Sequence, residues 1–225
     1  MKYKKLIIIG TSHIAIESIK EVEHCLEKEK PDIVALELDK KRFLALLEKR
    51  EGFSLRDVKI LGVKGWVLNL LGAWVEKKLG KLVGVQPGSE MKKAIKLAMK
   101  NKYKIALIDR DITITLKKLS QRLKLKECLR LIFDLFKGVF KKEHIKIDLT
   151  KVPDKKFIRK LIKEVKRKYP SIYKTLIEER DRIMAQNLYN LMTRYKNVKI
   201  VAIVGAGHEE SIISKIKKIE KDAKA

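Results

Sequence analysis

Two histidines, His13 and His208, each stand three residues beyond a glycine, Gly10 and Gly205, and each glycine closes a β-branched apolar run, Leu6 to Ile9 and Ile200 to Val204. Neutral imidazole ligates first-row transition metals, and two imidazoles with one or two carboxylates make a catalytic site when a position is left for water. Glu37, at the carboxyl end of a further apolar stretch from Ile33 to Leu38, supplies such a carboxylate. A metal held there lowers the pKa of its water enough for attack on a carbonyl at neutral pH, with a glutamate as base. Arg110 or Arg180 then steadies the developing oxyanion or holds a substrate carboxylate. Taken singly, a Gly-x-x-His is a tight turn whose imidazole caps backbone groups. As a pair with Glu37, it reads as a site for Mn, Co or Zn on His13, His208 and Glu37.

Runs apolar on both faces are how buried strands of a parallel sheet read, and open α/β sheets place ligands at the carboxyl edge. Ile16, Ile19, Val22 and Leu26 recur at helical spacing between the first two runs, with Thr11 or Ser12 as cap. Strand, helix and strand with short links predict parallel pairing through a right-handed crossover. A third strand, Ile105 to Ile108, ends in Asp109-Arg110-Asp111 and so brings three charged groups to the same edge. Met91, Ala94, Ile95, Ala98 and Met99 make an amphipathic helix after Pro87-Gly88-Ser89, and Glu90 in its first turn favours the helix dipole.

From 113 to 195 the pattern is almost wholly helical, with apolar stripes over 116–125, 129–140, 157–165 and 172–192 and helix starts at Pro153-Asp154 and Pro170-Ser171. Glu179 and Arg180 fall between Leu176 and Ile183 and face inward, either bracing each other or entering a polar site. The last strand follows, then a helix through Ile212, Ile213, Ile216 and Ile219. The expected fold is α/β, a single domain over 1–225 with a mainly parallel sheet, flanking helices and a helical excursion between the third strand and the last. Residues 60–84, where Trp66, Leu70, Ala73 and Trp74 share a glycine-interrupted helical face, read as a lid, an interface or core packing.

The chain has 225 residues, 54 Lys and Arg against 28 Asp and Glu, and a formal charge of +26. Such an excess favours anionic neighbours and fixes no fold. Lysine and glutamate enrichment fits a thermophile. Cys25 and Cys128 make neither a disulfide framework nor a zinc spacing, which suits a reducing, cytoplasmic compartment. No uninterrupted apolar run reaches about 18 residues. Phosphate-loop, His-Glu-x-x-His and Gly-x-Ser-x-Gly motifs are absent, and without a reading motif the charge alone predicts only weak, salt-sensitive nucleic-acid binding. His24, on a charged helix face, and His144, in a lysine-rich link, are weak ligand candidates.

Six blocks in order, Gly10-Thr11-Ser12-His13, Pro31-Asp32-Ile33-Val34 through Glu37-Leu38-Asp39 with Arg42, Pro87-Gly88-Ser89-Glu90, Asp109-Arg110-Asp111, Glu179-Arg180-Asp181 and Val204-Gly205-Ala206-Gly207-His208, resemble the TraB/PrgY family. That family is similar in turn to the Tiki proteases and to a group including haem-uptake ChaN and erythromycin esterases. The resemblance implies a metal-dependent hydrolase-like fold with His13, His208 and Glu37 at its centre and Glu90, Arg110 and Glu179 as secondary polar members. It implies a peptide as substrate or ligand, since PrgY is associated with pheromone shutdown and Tiki relatives cleave peptides. Many TraB relatives continue into carboxyl-terminal membrane helices, so the expectation is either a soluble member or a piece of a longer, membrane-associated protein. The function expected is a metal-dependent peptidase or amide hydrolase; the alternative is a non-catalytic peptide-binding or pheromone-sequestering module. A homo-oligomer and an anionic membrane surface are the further partners expected.

Overall fold

The β-branched runs pair with one another. The structure is a computed structural model that describes residues 1–12, 16–48, 88–140 and 154–223, with five strands in one sheet in the order β1-β2-β5-β3-β4. These are β1 (Lys2–Tyr3), β2 (Leu6–Thr11), β3 (Ile33–Leu36), β4 (Lys104–Leu107) and β5 (Ile200–Gly205). Only β1 is antiparallel to its neighbour. The first and last long runs lie side by side, in register from Leu6 opposite Ile200 to Thr11 opposite Gly205. β2 and β3 are parallel as the strand-helix-strand unit predicts, but β5 lies between them and bonds both.

Every residue of β5 is buried, because both faces of the sheet are covered. Ala202 and Val204 pack with Met184, Leu188, Ile212 and Ile216, from α8 (Glu179–Arg194) and α9 (Glu209–Asp222). Val201 and Ile203 pack with Val22 and Leu26 of α1 (Ile16–Glu29) and Met91 and Ile95 of α3 (Ser89–Lys100). The remaining helices are α2 (Lys40–Glu48), α4 (Ile112–Arg122), α5 (Leu125–Phe140), α6 (Lys155–Lys168) and α7 (Pro170–Tyr173), with a π-helical turn, Lys174–Glu178, joining α7 to α8. No helix among the described residues is long and apolar enough to cross a membrane.

Local chemistry sets the helix starts. The Asp154 side chain accepts from the Phe157 amide at 2.8 Å to begin α6, and that of Asp111 from the Thr113 amide to begin α4. Gly88 enters α3 at φ 78°, a left-handed conformation that a residue without Cβ adopts at little cost. Two elements go beyond the sequence reading. β1 is a two-residue edge strand, too short for an apolar pattern, and α2 buries none of its residues yet begins on Asp39, whose Oδ1 accepts from the amides of Lys41 and Arg42. Thr11 bonds the Val204 carbonyl across the sheet through its hydroxyl. Cys25 and Cys128 are half-buried free thiols. His13, the 60–84 segment, Pro87, His144 and Pro153 lie outside the described residues.

Candidate functional site at the carboxyl edge of the sheet

Because β3, β4 and β5 run in one direction, the residues that follow them share an edge. Glu37 follows β3, and its Oε2 accepts the Gly205 amide of β5 at 2.5 Å. His208, three residues further along, turns its Nε2 to within 3.5 Å of Glu37 Oε1. The other ring nitrogen, Nδ1, is 2.5 Å from Asp181 Oδ1 on α8, a contact that fixes the orientation of the imidazole. Arg180, next to Asp181, donates through Nη2 to Glu37 Oε1 and through Nε and Nη2 to Asp109 Oδ2, at 3.0 and 2.6 Å. Asp109 follows β4 and also accepts from Arg42 Nη2 at 2.7 Å. Arg42 Nε completes the chain by donating to Asp39 Oδ2 at 2.6 Å.

Burial makes this an expensive arrangement. Glu37 is 4% exposed and Asp181 fully buried, so each charge needs a neighbour of opposite sign. Four carboxylates, Glu37, Asp39, Asp109 and Asp181, meet two guanidiniums, Arg42 and Arg180, in this network. Asp181 Oδ2 is buried without a hydrogen-bond partner among the described residues. The electrostatics follow. Burial favours the neutral His208 ring and Arg180 repels a proton on it, but Glu37 and Asp181 outweigh both and raise its pKa above the ordinary value. Burial opposes the Arg180 charge too, and Glu37 with Asp109 overcomes it, pushing the guanidinium pKa up.

A second cluster sits beside the first. Glu179 accepts from Arg110 at 2.8 Å, from Lys118 at 3.3 Å and from Arg122. Burial works against its charge, yet these three cations bring its pKa down to about 2. The sequence pattern predicts an unbroken helix through 172–192; the observed π turn at 174–178 widens the backbone there. Carbonyls at this turn are put to use: Thr175 O accepts from Arg110 and Leu176 O from Arg180.

The end of β2 presses against the turn that follows β5. A Cβ on Gly10 would sit 3.0 Å from Ala206 Cα and 3.0 Å from Glu209 Oε2, so a larger residue would push the β2 end and the β5 turn slightly apart.

A family model described as the TraB/PrgY/gumN family matches residues 2–222. The chain belongs to this family. An uncharacterized protein of Methanocaldococcus jannaschii is 40% identical over 225 residues, 96% of this chain and 54% of that protein. TraB domain-containing proteins of Bos taurus and Homo sapiens are 25% and 24% identical over 235 residues, 92% of this chain and 61% of each relative. The chain therefore spans little more than half the length of these relatives. A solved structure described as cofacial heme binding to ChaN of Campylobacter jejuni aligns with 95% of this chain and 77% of its own, at 13% identity and a TM-score of 0.41.

In this TraB-family chain the structure brings together Glu37, Arg180 and His208. Arg110 and Glu179 pair with each other in the second cluster. Glu90 is buried in the first turn of α3, a helix that runs back along the sheet into β4 and so begins near the carboxyl edge. His13 lies outside the described residues. Among these, no group of three or more His, Cys, Asp or Glu side chains has the arrangement of a metal site. The sequence reading brings Asp109 to this edge, as observed, but gives no part to Asp181, Asp39 and Arg42. For Asp181 a signal existed: it lies on the i, i+3, i+4, i+7 stripe with Met184, Ala185 and Leu188, the buried face of α8.

Proposed function

We propose that the Glu37–His208 edge is the centre of a metal-dependent hydrolase acting on peptide or other amide bonds. The observation that carries this reading is His208, buried, clamped through Nδ1 by Asp181 and presenting Nε2 toward Glu37. A ligating imidazole with its second nitrogen on a carboxylate is the usual construction of a protein metal site. The donor chemistry fits a divalent transition metal, an imidazole nitrogen beside a carboxylate. The charge leaves room as well: among the described residues the four carboxylates of the network exceed its two guanidiniums, and Asp181 Oδ2 is a buried oxygen short of a partner there. His208 and Glu37 would hold the ion, with His13 the donor that the sequence adds. Such an ion supplies a water acidic enough to be a nucleophile near neutral pH.

The chain's own residues do the rest. Asp181 holds the ring in one tautomer and orientation. Arg180 holds Glu37 in place, and Asp109 keeps Arg180 there in turn; a guanidinium so fixed at a sheet edge is also a donor for a developing oxyanion. A second reading, a peptide-binding module that does not cleave, draws on the state of Glu37, whose two oxygens already accept from Arg180 and the Gly205 amide and so act as a structural post. Mass spectrometry of a peptide library incubated with protein and Mn²⁺ or Co²⁺ separates the two. Hydrolysis yields new termini that disappear in His208→Ala; a binding module leaves every peptide intact.

A further inference from the structure

A cavity of about 1040 Å³ opens between α1 and α6, over the paired ends of β2 and β5. It reaches the proposed site at its inner end, where Asp181 and Gly207 line it. Ile9, Ile158, Ile162 and Ile177 give it an apolar interior. Pockets for small ligands span roughly 300–1,000 Å³, so this volume suits a chain of several residues.

Its two walls differ in charge. On the α1 side stand Glu17 and Glu21 with Lys20 and His24 beside them, and burial together with Glu17 and Glu209 raises the Glu21 pKa, as expected where carboxylates crowd. The α6 side is basic. Two of its cations are committed, Arg159 to Glu210 at 2.6 Å and Lys155 to Glu209 at 3.5 Å. Lys163 and Lys166 have no carboxylate partner among the described residues, and the Lys166 ammonium lies 5.1 Å from the centre of the Tyr173 ring, inside the same cavity.

We infer that this trough binds the substrate of the hydrolytic site proposed above, on which this inference rests, and that the substrate is a peptide bearing an acidic residue whose carboxylate is held by Lys163 and Lys166. An anion is repelled by Glu17 and Glu21 and drawn to the opposite wall, while the apolar interior takes the neighbouring side chains and the chain passes Asp181 toward Glu37. The cations thus select and orient the peptide and take no part in bond cleavage.

Fluorescence anisotropy with three labelled leucine-alanine peptides, carrying two Glu, two Gln or two Lys, tests this on the full chain at about 0.15 M salt, where long-range attraction is screened. Lys163→Glu with Lys166→Glu should weaken the Glu peptide about tenfold. Lys96→Glu with Lys117→Glu, the same charge change on exposed faces of α3 and α4, should weaken it less than twofold. Equal losses in the two variants, a Gln peptide bound as tightly as the Glu peptide, or no binding of any peptide would overturn the inference. A loss confined to phosphatidylglycerol vesicles would overturn it in favour of a membrane face. Glu-selective binding that needs Lys163 and Lys166, with all peptides recovered intact in the presence of Mn²⁺, would keep this inference and remove the hydrolase reading instead.

Discussion

Glu179 and Arg180 are consecutive, yet they serve two networks of opposite balance. Arg180 enters a cluster where carboxylates outnumber guanidiniums, at the edge of a sheet buried on both faces. Glu179, one residue earlier, is a single carboxylate among Arg110, Lys118 and Arg122, each aimed at it. The second cluster satisfies its acid completely and ties α4 to the start of α8. The first leaves a buried Asp181 oxygen without a partner among the described residues and an imidazole nitrogen facing a carboxylate across 3.5 Å. A polar cluster that closes on itself is a brace, and one left short of positive charge has room for a ligand. This contrast separates the two halves of a motif that the sequence presents as one block.

The largest effect expected on this contrast falls on chemistry in the first cluster alone. His208→Ala or Glu37→Gln should lower turnover by about 10²–10⁴-fold, the range for removing a group engaged in the reaction, while Glu179→Gln should change turnover little; single-turnover assays with the peptides identified by mass spectrometry decide between them. Next in size is Arg180→Met, which strands Glu37 and Asp109 in a buried setting and should cost roughly 3–5 kcal/mol in urea unfolding. Arg180→Lys should recover only part of this, since an ammonium does not span both carboxylates as the planar fork does.

Glu179→Gln should cost less, roughly 1–3 kcal/mol at pH 7, because the rim of its cluster is open to water. Its pH dependence has a definite sign. Glu179 titrates near 2 in the fold and near 4.5 when unfolded, so its contribution is complete above about pH 4.5 and is lost as pH falls toward 2. The unfolding free energies of wild type and variant should therefore converge across that window, and a constant gap would deny the brace. Gly10→Ala should have the smallest effect, about 1 kcal/mol of overpacking against Ala206. A thermal unfolding shift measures it, and no shift at all would mean the β2 end and the β5 turn can part freely.

Much of this was legible in the sequence because burial, complete for β3 and β5 and partial for β2 and the edge strand β4, leaves a plain signature. The runs at Leu6, Ile33, Ile105 and Ile200 are apolar at consecutive positions, and each became a strand ending near a polar residue of interest. The convergence of Glu37 with the His208 turn follows from that pairing. What the pattern hides is which inward polar residue meets which. Nothing in the order Glu179-Arg180-Asp181 says that three neighbours reach three different partners, because each step along a helix turns the side chain by about 100° and the partners come from separate strands and helices. The π turn ahead of them leaves no mark in apolar spacing, and two-residue β1 is too short to have a pattern.

Metal content is the most direct measurement. Protein purified without chelator and dialysed in turn against Mn²⁺, Co²⁺ and Zn²⁺ should retain about one equivalent of one of them; His208→Ala should retain none while its circular dichroism matches wild type. Equal metal in the two proteins, or none in the wild type with any of the three ions, would contradict the assignment of His208 and Glu37 as a metal site.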